Sequence, residues 1–240
     1  MLGLGLASSH APAMFCPPEA WPTVYAAIPD YMKGSQPHTA KLETPDVILE
    51  QIARIEHAFV TLRRQLEAYE PDAVIFIGDD QGDMFSEAHM PQLAVFTGDE
   101  LWGSTVPAYM NEPPERSRLH IPVATDLARH IYKGLTHRGF DPANVAKMQP
   151  LGRPDRGMSH MVMYPHPKLL PKNDVPVVPI FINEYFPPMP TARRCWDLGL
   201  ALREIVDAWP GRVAIYASGG LSHDPAGPRA GWVDEPLDRW

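Results

Sequence analysis

Two histidines follow apolar segments that have the pattern of buried strands. Leu2–Leu6 leads into a small-residue segment that contains His10, and Val213–Tyr216 leads into one that contains His223. Because ligands bind beyond the carboxyl ends of the strands in open α/β sheets, we expect both imidazoles at one crevice. Glu235 follows His223 by twelve residues. Two imidazoles and a carboxylate are the ligands typical of a non-haem iron site, so this pattern predicts such a site.

A third histidine, His160, lies among small residues in Gly157-Met-Ser-His160. Taken singly, each of these three histidines is explained as well by a structural role, as a hydrogen-bonded loop residue, as by a functional one. Their joint occurrence with Glu235 favours a functional site. Ser222-His223-Asp224 contains the residue types of a serine hydrolase, the main rival enzyme. Adjacent residues do not form a triad, and the segment lacks the second glycine of a nucleophile elbow, so the sequence argues against hydrolysis.

Hydrophobic periodicity predicts the elements that position these residues. Apolar side chains recur at spacings of three and four in the predicted helices, and in unbroken short runs in the predicted strands. After the first strand, the series is a helix over Asp46–Tyr69, strands Ala73–Ile77 and Leu93–Phe96, a helix over Ile121–Leu135, strand Val175–Ile182, a helix over Thr191–Trp209, and strand Val213–Tyr216. Alternating strands and helices predict an α/β fold, with a mainly parallel buried sheet flanked by helices and a strand-end crevice. We expect one catalytic domain over residues 1–240.

Residues 11–45 are rich in proline and lack clear periodicity. The pattern predicts a long ordered loop, and a loop of this length in a compact domain is more often functional than idle. We therefore expect it to border the active site.

Composition excludes several classes of partner. The formal charge is −8 and no run of basic residues occurs, so nucleic acid and anionic membranes are poor partners for this chain. Cys16 and Cys195 are the two cysteines, far apart and outside any CxxC pattern, which indicates a reducing cytoplasm and no thiolate zinc site. We expect no membrane span, because no apolar run approaches ~18 residues, and no signal peptide, because a basic region is missing.

Three segments in consistent order carry a resemblance that spans nearly the whole chain. They are Ser8–Pro12 (SSHAP), Val175–Asn183 (VPVVPIFIN) and Ser218–His223 (SGGLSH), the last followed by a glutamate and the most specific of the three. Together they resemble the class III extradiol ring-cleavage dioxygenases, the superfamily of the protocatechuate 4,5-dioxygenase catalytic subunit. In that family two histidines and one glutamate hold Fe(II), and two further histidines act in acid–base catalysis.

The resemblance implies a role for each matching residue. His10 corresponds to the first iron ligand and Glu235 to the carboxylate ligand. His223 matches the catalytic histidine, which would accept a proton from the substrate and later return one. His160 falls where the family has a second catalytic histidine, although its flanking residues differ from the usual Asp-His-Gly.

One position departs from the family pattern. The second histidine ligand of the family follows the strand that corresponds to Ala73–Ile77, where this chain has Gly78-Asp79-Asp80-Gln81. Three alternatives stay open. Asp80 binds the metal, giving a more anionic ligand set that would accept Mn(II) as well as Fe(II); or His38, from the 11–45 segment, restores the usual ligands; or metal binding is lost and the chain is a structural paralogue of the catalytic subunit.

The resemblance also implies the reaction and the partners. A catechol-like aromatic, including carboxylated and heterocyclic ones, would be cleaved with O₂, and we expect a homo-oligomer or a pair with a small second subunit. The chain stops at Trp240, soon after Glu235, whereas family members usually continue. We therefore expect either that it is truncated or that a partner supplies the missing part of the core.

Overall fold

A mixed sheet of six strands forms the centre of the computed structural model, which describes residues 1–33, 39–220, 222–224, 228–229 and 232–239. The strands are β1 (Leu2–Ser8), β2 (Ala73–Gly78), β3 (Leu93–Phe96), β4 (Glu100–Ser104), β5 (Arg118–Pro122), β6 (Ala143–Val145), β7 (Val177–Ile182) and β8 (Val213–Ser218). The order in the main sheet is β1-β8-β2-β7-β3-β6, and β4 pairs with β5 in a separate antiparallel ladder. In the main sheet β1, β8, β2 and β7 are parallel, whereas β3 is antiparallel to β7.

Helices cover both faces of this sheet. The longer ones are α4 (Pro45–Tyr69), α5 (Thr125–His137) and α8 (Ala192–Asp207), and the shorter ones are α1 (Trp21–Ala27), α2 (Asp30–Lys33), α3 (Thr39–Leu42), α6 (His160–Met163), α7 (His166–Leu169) and α9 (Glu235–Arg239). Among the described residues, no helix combines the length and the apolar character that a membrane span requires.

Alternate residues of the central strands supply two separate cores. Val74 and Phe76 of β2 pack in a cluster with residues of α4 and α6, while Ile75 packs in a second cluster with residues of α5 and α8. Since both faces are covered, the strands are apolar without a polar alternation, as is typical of parallel sheets. The predicted α/β fold with a mainly parallel buried sheet is confirmed.

Two features differ from the sequence-based prediction. The helix predicted from Ile121 begins at Thr125, because Arg118–Pro122 forms β5. This strand is short and its outward residues are polar, so it has no apolar run to identify it. The segment 11–45, predicted as a loop, contains short helical segments where it is described.

Prolines explain why these short helices begin where they do. Pro12 and Pro18 open two 3₁₀ segments, Pro22 lies in the first turn of α1, and Pro45 opens α4. Proline suits the first turn of a helix because its fixed φ is already helical and no partner is needed for its missing N–H. The prolines therefore start helices here and are not only loop residues.

His38, the alternative metal ligand predicted in the 11–45 segment, lies outside the described residues.

Candidate functional site at the carboxyl edge of the sheet

Four neighbouring parallel strands end at one edge of the sheet. Ser8 of β1 pairs with Ser218 of β8, Ser218 pairs with Gly78 of β2, and Gly78 pairs with Phe181 of β7. A Cβ on Gly78 would lie 2.0 Å from the carbonyl oxygen of Ser218, so only glycine allows these two strand ends to lie so close. The residues that follow these strands are therefore brought together.

His10 follows β1 and is buried at this edge, with 2% of its surface exposed. Its Nδ1 lies 3.0 Å from the Oγ of Ser218, and that hydroxyl donates to the carbonyl oxygen of Met161 at 2.7 Å. Its Nε2 lies 3.1 Å from the amide nitrogen of Gln81 and 3.3 Å from Oδ1 of Asp79. His10 is thus fixed by β8 on one side and faces the residues after β2 on the other.

His160 lies beside His10, with 4.7 Å between the centroids of the two rings. Its Nδ1 is 2.5 Å from Oδ2 of Asp83, which also accepts a hydrogen bond from the backbone N–H of His160 at 3.0 Å. Arg153 Nη1 lies 3.1 Å from the other oxygen of Asp83. Burial acts to raise the pKa of Asp83, but the His160 hydrogen bond and the charges of His160 and Arg153 outweigh it, and the pKa is lowered.

The Asp83 carboxylate therefore orients the imidazole of His160. Because the Asp83 carboxylate can only accept, Nδ1 of His160 carries a proton, and Nε2 is the nitrogen that can gain or release a second one. This Nε2 is buried and has no hydrogen-bond partner among the described residues. A carboxylate–histidine pair of this kind fixes the tautomer of catalytic and metal-binding histidines.

Asp80 is buried and fixes the turn that follows β2. Its Oδ1 accepts from the backbone N–H of Met84 at 2.8 Å, and its Oδ2 accepts from that of Phe85 at 2.9 Å. Gln81 and Gly82, inside this turn, have φ of 51° and 79°. Burial raises the pKa of Asp80 to about 6, although the two backbone hydrogen bonds act in the opposite direction.

The remaining predicted site residues lie in the C-terminal part of the chain. Glu235 opens α9, its side chain is 67% exposed, and its carboxylate pairs with Arg239. His223 is half-buried, and its Cε1 lies 3.0 Å from the place that a Cβ on Gly220 would take. Within the described ranges, no group of three or more histidine, cysteine, aspartate or glutamate side chains is arranged to hold a metal ion. The roles assigned to His10, Asp80, Glu235, His38, His223 and His160 stay predictions.

The structure adds residues that the sequence did not single out for chemistry. Asp79 and Gln81 contact His10, and Asp83 and Arg153 form the chain of contacts behind His160. For Asp79, Gln81 and Asp83 the sequence did contain a signal, a run of polar residues directly after a buried strand. Glu184 follows β7, and partial burial of its carboxyl group, together with the nearby charge of Asp79, raises its pKa to about 7.

Comparisons with known proteins place the chain in a family. Residues 36–240 match the model of the catalytic LigB subunit of aromatic ring-opening dioxygenase. The 2,3-dihydroxyphenylpropionate/2,3-dihydroxicinnamic acid 1,2-dioxygenase of Photorhabdus laumondii is 30% identical over 186 residues, which are 77% of this chain and 53% of that protein. The dioxygenase of the same name from Klebsiella pneumoniae strain 342 is 31% identical over 176 residues, 73% of this chain and 51% of that protein.

A third relative is the gallate dioxygenase of Pseudomonas putida, 36% identical over 117 residues, 47% of this chain and 32% of that protein. The chain thus spans about half the length of the first two relatives. The match to the family model nevertheless covers most of the residues of this chain, including His160, which lies beside His10 in the structure. The chain belongs to the family of the catalytic LigB subunit of aromatic ring-opening dioxygenases.

Proposed function

We propose that this protein is an extradiol dioxygenase that opens the ring of a catechol-like aromatic with O₂ and a bound Fe(II), with Mn(II) as the alternative ion. The observation that carries the proposal is the buried pair of imidazoles, His10 and His160, at the carboxyl edge of a parallel sheet in a chain of this family. This edge is where open α/β sheets bind ligands.

The donor atoms at this edge fit such an ion. Imidazole nitrogen and carboxylate oxygen are the ligands of non-haem Fe(II), and carboxylates also suit Mn(II). The buried Nε2 of His160 has no hydrogen-bond partner within the described part of the chain, and the Nε2 of His10 lies against a carboxylate. We assign His10 and Glu235 to the ion, on the family pattern.

The ion, when bound, would supply open positions for the two adjacent oxygens of a catechol and for O₂. The protein would supply the proton transfers. Asp83 holds one proton on Nδ1 of His160, so the neutral form of this imidazole can accept a proton from a substrate hydroxyl at Nε2. His223 is the second acid–base residue in this proposal. Histidine suits both tasks because its pKa lies near neutral pH.

The substrate class in this proposal is an aromatic with adjacent hydroxyl groups. The relatives are named for 2,3-dihydroxyphenylpropionate, 2,3-dihydroxicinnamic acid and gallate, and these compounds are the first to test. We expect the protein to act in the cytoplasm, where its two cysteines, both free thiols, would stay reduced. We also expect a homo-oligomer or a complex with a small second subunit, which native mass spectrometry would identify.

The test is anaerobic reconstitution with Fe(II), followed by measurement of O₂ uptake with each of these diols and with catechol and protocatechuate. We expect one O₂ consumed for each diol and a ring-opened product. His10→Ala, loaded in the same way, is the matched control and should lose the activity. Full metal loading without O₂ uptake on any diol of the panel would contradict the proposal.

A second candidate function is a metal-free structural paralogue of the catalytic subunit. Asp80 stands where the family has its second histidine ligand, and both of its oxygens are bonded to backbone amides. Metal content separates the two candidates. A protein that keeps no Fe(II) or Mn(II) after reconstitution, and in which His10→Ala changes nothing, would support the structural candidate.

A further inference from the structure

The hydrogen bonds of His10 determine which of its nitrogens carries a proton. The hydroxyl of Ser218 has one proton, and it donates that proton to the carbonyl oxygen of Met161 at 2.7 Å. It must therefore accept from His10, whose Nδ1 lies 3.0 Å away. In the neutral imidazole, which has one N–H, the Nε2 of His10 therefore carries a lone pair.

This lone pair faces a carboxylate. Oδ1 of Asp79 lies 3.3 Å from the Nε2 of His10, and both groups are buried. Two acceptors at this distance repel each other unless a proton or another cation lies between them. The amide nitrogen of Gln81, 3.1 Å from the same Nε2, can donate to it, but this contact does not remove the repulsion between the nitrogen and the carboxylate.

The spacing of the two atoms is that of neighbouring ligands on one ion. Bonds from a divalent metal to imidazole nitrogen and carboxylate oxygen are about 2.0–2.2 Å long, so ligands at a right angle are about 3 Å apart. The 3.3 Å between Nε2 of His10 and Oδ1 of Asp79 is close to this value.

An independent feature points to the same place. His160 is 6% exposed, its ring lies 4.7 Å from that of His10, and its Nε2 has no hydrogen-bond partner among the described residues. Asp83 holds a proton on Nδ1, so in the neutral imidazole this Nε2 also carries a lone pair. A buried lone pair without a donor is costly, and the charge of a cation held by His10 would lower that cost while leaving Nε2 of His160 available to the substrate.

Asp80 differs from Asp79 in the hydrogen bonds that its carboxylate oxygens accept. Each of its two oxygens accepts a backbone N–H, from Met84 and from Phe85. These bonds hold the turn after β2, and moving the carboxylate toward a metal would break them. Asp79 lies against His10 in the structure as it stands.

We propose that Asp79, and not Asp80, is the carboxylate that binds the divalent cation together with His10, while Asp80 fixes the turn that presents Asp79. This inference rests on the proposed function for the presence of a metal, and it names the residue that replaces the family's second histidine ligand.

The test is Mn(II) binding to the metal-free full chain, measured by the loss of the electron paramagnetic resonance signal of free Mn(II), with Co(II) absorption as a second probe. The variants are Asp79→Asn, which keeps the shape of the side chain, and Asp79→Ser, which removes the carboxylate with a smaller side chain. Asp80→Asn removes the neighbouring charge and one acceptor of the turn, and so separates an indirect effect on Asp79 from the loss of a ligand. Asp99→Asn is the remote control, because Asp99 follows β3, which runs antiparallel to β7 and ends at the opposite edge. Thermal unfolding verifies that each variant is folded.

We expect Asp79→Asn and Asp79→Ser to weaken Mn(II) binding by at least about 10–100-fold, the loss that even an indirect partner of a ligand causes. Asp99→Asn should bind Mn(II) like the wild type, whereas Asp80→Asn loses one of the two bonds that hold the turn and should weaken Mn(II) binding less than Asp79→Asn does. If the wild type binds Mn(II) and Asp79→Asn binds it equally well, the inference fails while the proposed function stands. Loss of binding in folded Asp80→Asn alone would also overturn it. A wild type that binds neither ion would overturn the inference and the metal of the proposed function together.

Discussion

Replacement of Asp83 by asparagine tests whether this carboxylate orients a catalytic imidazole. The buried carboxylate serves three donors, Nδ1 of His160 at 2.5 Å, the backbone N–H of His160 at 3.0 Å and Nη1 of Arg153 at 3.1 Å. Asparagine has one acceptor oxygen and adds an NH₂ group, so at least one donor loses its partner. A hydrogen bond to a charged group contributes about 1.5–3 kcal/mol, and we expect a loss of stability of that size. For a chain of this length it would lower Tm by roughly 3–12 °C.

The effect on catalysis should exceed the effect on stability. In the Asp83→Asn variant the imidazole of His160 is free to rotate or to carry its proton on Nε2, which removes the acceptor that faces the site. The loss of a positioned general base costs about 10²–10⁴-fold in rate, so kcat for O₂ uptake with a saturating diol should fall by that factor. KM should change less than kcat, because in the proposed mechanism the ion binds the substrate oxygens and Asp83 acts only through His160.

Two controls separate positioning from general damage. Arg153→Gln removes a half-exposed charge and leaves the bond between Asp83 and His160, so its effect on kcat should be much smaller. In a His160→Ala background, Asp83→Asn should have no further effect on kcat, since residues that act through one group are not additive. A folded Asp83→Asn enzyme with kcat within about threefold of the wild type would refute the positioning role.

Three further predictions concern other parts of the molecule. Burial lowers the pKa of His166 to about 4. As the pH is lowered, His166 is therefore protonated near pH 6.5 in the unfolded chain but only near pH 4 in the folded chain. Between these two values the free energy of unfolding should fall by about 3 kcal/mol. Urea unfolding across this range should show that contribution in the wild type and not in His166→Phe. Gly78→Ala should destabilise by about 1–3 kcal/mol or more, because its Cβ would overlap the carbonyl oxygen of Ser218; an unchanged Tm would contradict this. His223→Gln should keep stoichiometric metal yet lose about 10²–10⁴-fold in turnover, whereas loss of the metal as well would identify His223 as a ligand.

The sequence determined the fold class and most of the element positions. Buried strands such as Leu93–Phe96 are short, unbroken apolar runs, and α4 carries a stripe of apolar residues at helical spacing. Both signals are local, because the spacing of apolar residues within a single helix or strand shows which of its side chains face the core. Strand β5 and the short helices of the 11–45 segment were not predicted, since they are too short or too polar for periodicity to show.

The sequence also placed His10 and His160 in one site, through strand-end position and family resemblance, and the structure brings their rings to 4.7 Å. It did not distinguish Asp79 from Asp80, because adjacent acidic residues look alike until the chain around them is folded. Only the tertiary structure decided that Asp80 accepts two backbone amides while Asp79 faces His10. It alone also revealed Asp83 and Arg153 behind His160, since contacts between residues far apart in the chain depend on how the strand ends meet and leave no local pattern.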